Sequence, residues 1–251
     1  MKVTILGTGT SYPDPERVQS GILIKIDEES ILFDIGPGVY NRLVETGIDL
    51  SSISTVFLTH FHIDHCSDFV MLCQNLWLNG HERPLNIFGP STIKEWYRAL
   101  FDIAYTYARD RLIINVGVLK EHEAVQVGKA TISNVATIHG NIETHALRIE
   151  YKGKSLTYSS DTAPSRDVID LAKGTDVLIH ECNWLDGPNP EGVHTSPSQL
   201  AEIVEEVAPK KVILTHVSPE VVHDSSKVIE IVGRRTDAEI LLGKDLMSFT
   251  V

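Results

Sequence analysis

Residues Thr59 to His65 read Thr-His-Phe-His-Ile-Asp-His and bring three imidazoles and a carboxylate into one short segment, directly after a β-branched run ending at Leu58. Imidazole and carboxylate together suit zinc, iron or manganese better than calcium. The absence of a nearby cysteine pair argues against a closed structural zinc site. His60 and His62 are two positions apart, so an extended backbone puts both on one side, where they can reach one ion. Asp64 and His65 stand where the loop should turn into a helix, and can point toward a second ion. Three further candidates share one position type. His139 follows the run Thr131 to Ile138, Asp161 follows Leu156 to Ser160, and His216 follows Val212 to Thr215. Side chains leaving the C-terminal ends of neighbouring strands converge on one rim, where ligands of α/β sheets bind.

The elements that must position these groups are legible as alternating short runs. Val3 to Leu6, Ile22 to Ile26, Ile31 to Phe33 and Thr55 to Leu58 read as strands separated by turn residues. Phe69, Leu72, Cys73 and Leu76 fall at i, i+3, i+4 and i+7 and predict a helix that Gly80 stops. Ile93, Trp96, Tyr97 and Leu100 predict another, starting at Ser91. Strands are expected again over 130–138, 145–151 and 154–159, then a helix over 165–173 ending at Gly174, and a buried strand over 176–179. Ser196-Pro197-Ser198-Gln199 reads as a capping box with proline at the first helical position, ahead of the apolar face of Leu200, Ile203, Val204 and Val207. Lys211 to Leu214, a helix from Ser218-Pro219, and strands at 239–242 and 247–251 complete the order. Each β-then-α half can bury a sheet face only against the other half, with helices outside. The expected fold is therefore α/β, a four-layer αβ/βα sandwich in which residues 1–251 form a single domain of two halves. The segment from Tyr105 to Arg111 stays unassigned.

Composition bounds the function. The chain has 251 residues, is 42% hydrophobic, and carries a formal charge of −12, which argues against a broad electrostatic footprint on nucleic acid. Three cysteines, Cys66, Cys73 and Cys182, form no CxxC pair and suit a reducing compartment. No apolar run approaches the roughly 20 residues of a membrane span, and the N-terminus has no secretory apolar region, so a cytoplasmic protein is expected. Gly7-Thr-Gly-Thr-Ser11 lacks the later Gly and the Lys-Ser/Thr of a phosphate loop and reads as a tight turn near the active rim.

The HxHxDH segment followed by isolated His, Asp and His resembles the metallo-β-lactamase superfamily over nearly the whole chain. Leu6-Gly-Thr-Gly-Thr with Arg17 and Ser20-Gly21, Phe33-Asp34-Ile-Gly-Pro-Gly38, His180-Glu181-Cys182-Asn183, His194-Thr195 and Leu214-Thr-His216-Val-Ser-Pro219 are similar to its branch containing ribonuclease Z and related phosphodiesterases. The resemblance implies the metallo-β-lactamase fold and two divalent ions, Zn2+ foremost, with Mn2+ or Fe2+ as alternatives. It implies His60, His62 and His139 on one ion, Asp64, His65 and His216 on the other, Asp161 bridging, and Asp34 behind them orienting the histidine loop. The expected reaction is hydrolysis of a small or short single-stranded phosphodiester by a metal-bridging hydroxide. Asp64 would orient or deprotonate the water, and His194 with Glu181 beside it would protonate the departing alkoxide. Related enzymes are commonly dimers, so a homodimer is expected.

One departure narrows the substrate. Between His139 and Asp161 the sequence holds only short strands and the Lys152-Gly153-Lys154 turn, leaving no room for the long arm with which tRNA-processing members grip tRNA. A tRNA 3′-processing endonuclease is therefore the disfavoured alternative, beside a sulfatase, thioesterase or lactonase on the same centre. A flavodiiron protein would have a Glu within the histidine motif, which this chain lacks. A non-catalytic module is difficult to reconcile with seven candidate ligands.

Overall fold

The apolar runs pair as two seven-stranded sheets in a computed structural model that describes residues Met1–Val251. The chain opens as an antiparallel meander of β1 (Lys2–Gly7), β2 (Gly21–Ile26) and β3 (Glu29–Ile35). Helices then intervene and the pairing turns parallel, since parallel neighbours need a crossover. α1 (Val39–Glu45) leads to β4 (Ile53–Phe57), and α2 (Ile63–Cys66) with α3 (Phe69–Leu78) leads to β5 (Leu85–Gly89). α4 (Ile93–Arg98) precedes β6 (Ile114–Val118).

The second half repeats the plan. β7 (Val125–Val127), β8 (Ala130–Ala136), β9 (His145–Tyr151) and β10 (Lys154–Tyr158) are antiparallel. α5 (Arg166–Ala172), β11 (Val177–Glu181), α6 (Pro197–Val207), β12 (Lys211–Thr215), α7 (Pro219–His223), α8 (Ser225–Gly233) and β13 (Glu239–Leu242) follow, with β10 to β13 parallel. The last strand, β14 (Met247–Thr250), crosses back to pair with β1, so the first sheet runs β14-β1-β2-β3-β4-β5-β6 and the second β13-β12-β11-β10-β9-β8-β7.

Alternation along the strands produces the four expected layers. Phe33, Phe57, Ile179 and Ile213 meet between the two sheets. Their chain neighbours Leu32, Val56 and Leu58 face Phe69 and Leu72 of α3, while Leu178 and Leu214 face Leu200 and Val204 of α6. Neighbouring residues thus serve different cores, and each fully buried Leu or Phe contributes about 1.5–3 kcal/mol of burial free energy. No helix is long and apolar enough to cross a membrane.

Several boundaries differ from the sequence-based expectation. Helix α4 begins at Ile93 rather than Ser91, because Ser91 gives its N–H and hydroxyl to the Glu143 carboxylate. Leu100 of its expected apolar stripe lies in a π-helical turn over Ala99–Ala104, closed by the Tyr105 N–H on the Leu100 carbonyl five residues back. β8 stops at Ala136. The Thr137 N–H turns to the Thr144 carbonyl and Ile138 keeps only an isolated bridge to Ala163, so His139 leaves a loop instead of a strand end. The strand expected over 176–179 runs Val177–Glu181, since Asp176 is drawn away to the Ser155 N–H. β5, β6 and β7 were not anticipated.

Candidate metal centre

β4 delivers Thr59 to His62 onto the rim of the first sheet, and α2 begins at Ile63, which turns Asp64 and His65 back toward it. The turn after β3 props this loop from below. Asp34 adopts a left-handed backbone (φ 59), and at Gly36 a Cβ would stand 2.0 Å from the Asp64 carbonyl oxygen. Only glycine permits that approach, and Gly38 (φ 87) completes the turn. Ser160 (φ 52), just before Asp161, and His216 (φ 47) are left-handed as well. Strained non-glycine residues of this kind persist where surrounding structure over-determines them, and here they end the strands that feed the rim.

The structure brings all seven predicted candidates together. One group comprises His60, His62, His139 and Asp161, a second Asp64, His65 and His216, and a third Asp161, His194 and His216. Asp161 lies between the first two. Its Oδ2 is 3.8 Å from His60 Nε2, 3.7 Å from His139 Nε2 and 3.5 Å from His216 Nε2, while Oδ1 is 3.3 Å from His65 Nε2. His62 Nδ1 faces His139 Nε2 at 3.3 Å, and Asp64 Oδ2 faces His216 Nε2 at 3.3 Å.

This donor set fits cations. His60 Nε2, His65 Nε2 and Asp161 Oδ1 are buried without a hydrogen-bond partner, although a buried polar atom left unmatched costs about 1–3 kcal/mol. The last two approach to 3.3 Å without hydrogen-bond alignment, as atoms aimed at a common third partner would. The rings are fixed from behind. Asp34 Oδ2 accepts from His65 Nδ1 at 2.8 Å and from the Thr59 hydroxyl at 2.9 Å, Oδ1 accepts from the Thr59 N–H at 2.8 Å, and the Tyr158 hydroxyl donates to Oδ2 at 3.0 Å. Asp34 therefore holds the place expected of it, whereas the contributions of Thr59, Ser160 and Tyr158 to the same network had no sequence signal beyond their position beside the motifs.

Electrostatics split the cluster. Burial and the neighbouring His65 push His60 well below the usual imidazole value. Burial acts the same way on His65, but the carboxylates of Asp161 and Asp34 outweigh it and raise that ring. For Asp64 and Asp161 burial works against ionisation, yet the adjoining imidazoles His216 and His65 hold both carboxyls low, leaving two anionic carboxylates in the cluster.

His194 and Glu181 also meet. His194 Nδ1 donates to Glu181 Oε1 at 2.8 Å, and the carboxylate accepts from the N–H groups of Thr162 (2.6 Å) and Thr195 (3.2 Å). Burial, then the charge of Asp161, pushes the Glu181 carboxyl up, while those N–H donors oppose the shift. Burial lowers His194, so its ring is neutral at pH 7, with Nδ1–H on Glu181. His194, with His62, Asp64, His139, Asp161 and His216, opens into a pocket of about 380 Å3 whose walls include Tyr12, Ile142, Asn183 and Trp184. Trp184 stands edge-on to His194 with ring centroids 4.9 Å apart. Tyr12 and Trp184 escaped the sequence reading, since neither aromatic belongs to a periodic stripe.

Known proteins place this arrangement in context. The crystal structure of the metallo-β-lactamase fold protein YhfI from Bacillus subtilis superposes with a TM-score of 0.87 over 99% of this chain and 98% of that one, at 24% identity. The short form of human tRNase Z gives 0.81 over 100% and 99%, at 22% identity. Among curated proteins, ribonuclease Z of Thermoplasma acidophilum is 28% identical over 100% of this chain and 96% of its own length, and that of Methanosarcina mazei 24% identical over 100% and 98%. The latter alignment spans 300 positions against 251 residues here, so that relative has inserted segments this chain lacks. The fold is that of the metallo-β-lactamases, and the model of the family described as Anti-Pycsar protein Apyc1 matches residues 1–233; the chain belongs to that family.

Proposed function

We propose that this protein is a dinuclear, metal-dependent phosphodiesterase acting on a small or short single-stranded phosphodiester. The observation that carries the reading is the set of inward-facing, unpartnered atoms His60 Nε2, His65 Nε2 and Asp161 Oδ1, ringed by four further imidazoles and carboxylates. His60, His62 and His139 would hold one ion, Asp64, His65 and His216 the other, with Asp161 between them. Imidazole and carboxylate donors suit Zn2+ first, then Mn2+ or Fe2+. When bound, such ions polarise phosphoryl oxygen and make water acidic enough to lose a proton near neutral pH.

The chain's own residues do the rest. Asp64, a carboxylate at the pocket floor, orients the attacking water and can accept its proton at Oδ2. His194 keeps Nδ1–H on Glu181, takes up a proton at Nε2 from water in the pocket, and passes that proton to the departing alkoxide. The Glu181 carboxylate stabilises the imidazolium while it does so. A 380 Å3 pocket, walled by Tyr12 and Trp184, suits a small ester.

Ribonuclease Z relatives keep tRNA 3′ processing as a second reading, which the two-residue turn at Lys152-Gly153 and the charge of −12 disfavour. A homodimer is part of the proposal. Met71, Leu78, Ile103 and Ile113 are exposed around α3 and the irregular segment whose Tyr107 hydroxyl donates to Gln74.

Elemental analysis of the protein and its His62→Ala variant, coupled to cleavage of bis(p-nitrophenyl) phosphate before and after chelation, tests the reading. About two metals per chain and metal-restored cleavage, both impaired in the variant, are expected. Two metals without cleavage would move the assignment to a sulfate ester, thioester or lactone. A stoichiometry near zero after reconstitution would remove it.

A further inference from the structure

The ion site that His60, His62 and His139 would share is assembled across the two halves of the chain. His60 and His62 stand on the loop after β4, whereas His139 stands on the loop 137–144, which leaves β8 at Ala136 and re-enters the sheet at His145. Zinc–imidazole bonds span about 2.0–2.1 Å, and such a site works only when its donors are kept within about 0.5 Å of their places. The loop 137–144 must therefore be fixed against the first half.

Most of its hydrogen bonds stay within the second half. The Thr137 hydroxyl donates to the Asp161 carbonyl at 2.8 Å, the Gly140 N–H donates to the Gly192 carbonyl at 2.8 Å, and His139 Nδ1 lies 2.9 Å from the Val193 carbonyl oxygen. Apart from the facing rings of His62 and His139, two links reach the first half. One is made by the backbone, where the His145 N–H donates at 3.1 Å to the carbonyl of Thr59, the residue before His60. The other is the Glu143 carboxylate. Its Oε1 accepts from the Ser91 N–H at 2.8 Å and its Oε2 accepts from the Ser91 hydroxyl, so it grips both donors of one residue in the turn between β5 and α4. The buried ring of His145 backs this link, with Nε2 3.2 Å from Glu143 Oε1 and Nδ1 3.0 Å from the carboxamide of Asn134 on β8. Neither Glu143 nor Ser91 lines the pocket.

We infer that Glu143 is a positioning residue: by gripping Ser91 it fixes the loop 137–144 against the first half and so sets where His139 stands relative to His60 and His62. Asp64, His65 and His216 lie off that loop, so the link serves one ion of the two. The inference rests on the two-cation reading above.

Titration of the full-length, metal-stripped protein with Zn2+ against a chromophoric chelator tests it, because both equivalents are read separately from activity. Glu143→Ala should weaken one equivalent about 10-fold, the lower end of the scale for losing support behind a metal ligand, and leave the other as in the wild type. Glu143→Gln, which keeps an oxygen for the Ser91 N–H, should lose less. Ser91→Ala should weaken the same equivalent, and combined with Glu143→Ala it should add nothing, as expected of two partners in one link. In a His62→Ala background, which retains the ion at Asp64, His65 and His216, Glu143→Ala should change nothing. Weakening of both equivalents alike, of neither, or of the ion that His62→Ala retains would overturn the inference, as would additive losses in the double variant. Should Glu143→Ala not fold, Ser91→Ala decides by the same criteria, since it keeps the backbone N–H on the carboxylate. Failure of the wild type to bind zinc at all would instead overturn the two-cation reading.

Discussion

The two halves of the molecule share one plan, an antiparallel meander running into parallel strands with helices outside, yet they furnish the centre in opposite ways. The first half concentrates His60, His62, Asp64 and His65 in one loop between β4 and α3, held from behind by a single carboxylate, Asp34. The second half scatters His139, Asp161, His194 and His216 over four connections, with Glu181 at the end of β11, and three of the rings have their own local partner: Val193 for His139, Glu181 for His194, Asn183 for His216. A clustered loop can be aimed by one well-placed prop. Scattered ligands depend on the whole sheet keeping its strand ends in register, and on every connecting loop being pinned.

That contrast predicts unequal consequences for loss of a single ligand. Asp161 belongs to two of the groups, whereas His62 belongs to one. Asp161→Ala should lose both metals and lower phosphodiester cleavage by about 10^4-fold or more, as for removal of a member of a unit that acts together. His62→Ala should keep the ion at Asp64, His65 and His216, with about one metal per chain by elemental analysis. Equal metal loss in the two variants would mean that the halves do not hold separable sites.

A smaller and more selective effect is expected at His194. His194→Ala should leave metal content unchanged and slow cleavage of an alkyl phosphodiester by about 10^2 to 10^4-fold, the range of general acid catalysis. A p-nitrophenyl ester, whose leaving group needs no proton, should be hydrolysed nearly as fast as by the wild type. Parallel losses on both esters, accompanied by lost metal, would recast His194 as a ligand of the group it forms with Asp161 and His216.

The same contrast explains what could be read from the sequence. The clustered loop announces itself, because three imidazoles and a carboxylate in six positions have no ordinary structural use. Of the scattered residues, Asp161 and His216 were readable as residues that follow buried strands, and His139 only loosely, since β8 ends at Ala136 and the chain reaches the rim through a loop. Asn183 lay inside a quoted motif without a role, because its approach to a ring 33 positions away is invisible until both are in place. The fold was legible where apolar residues alternate or recur at helical spacing. It was missed at β5, β6 and β7, where the strands are short and partly exposed, and in the π-helical segment, whose hydrogen bonding breaks the 3.6-residue period.

The mildest test concerns a pin in the scattered half. Asp186 lies on the loop between Trp184 and His194, and it ties that loop to α6. Oδ1 accepts from the Ser198 N–H at 3.0 Å and from Ser196 Oγ at 2.7 Å, and Oδ2 accepts from Ser198 Oγ at 2.7 Å. Partial burial would raise this carboxyl, but the serine hydrogen bonds outweigh it and hold the group below its ordinary value. A depressed folded value means that the contribution to stability is complete above the unfolded value of about 3.9 and is lost as pH falls through the folded one. Asp186→Ala should therefore cost about 0.5–2 kcal/mol at pH 7, as for loss of a helix cap, and progressively less below about pH 4. Urea unfolding midpoints of the two proteins at pH 7 and pH 3.5 measure the difference. A gap that stayed constant between those pH values would show that the ionised carboxylate is not what pins the loop. The loop's hold on His194 would then have to come from Glu181 and from the hydrogen bond of His139 Nδ1 to the Val193 carbonyl.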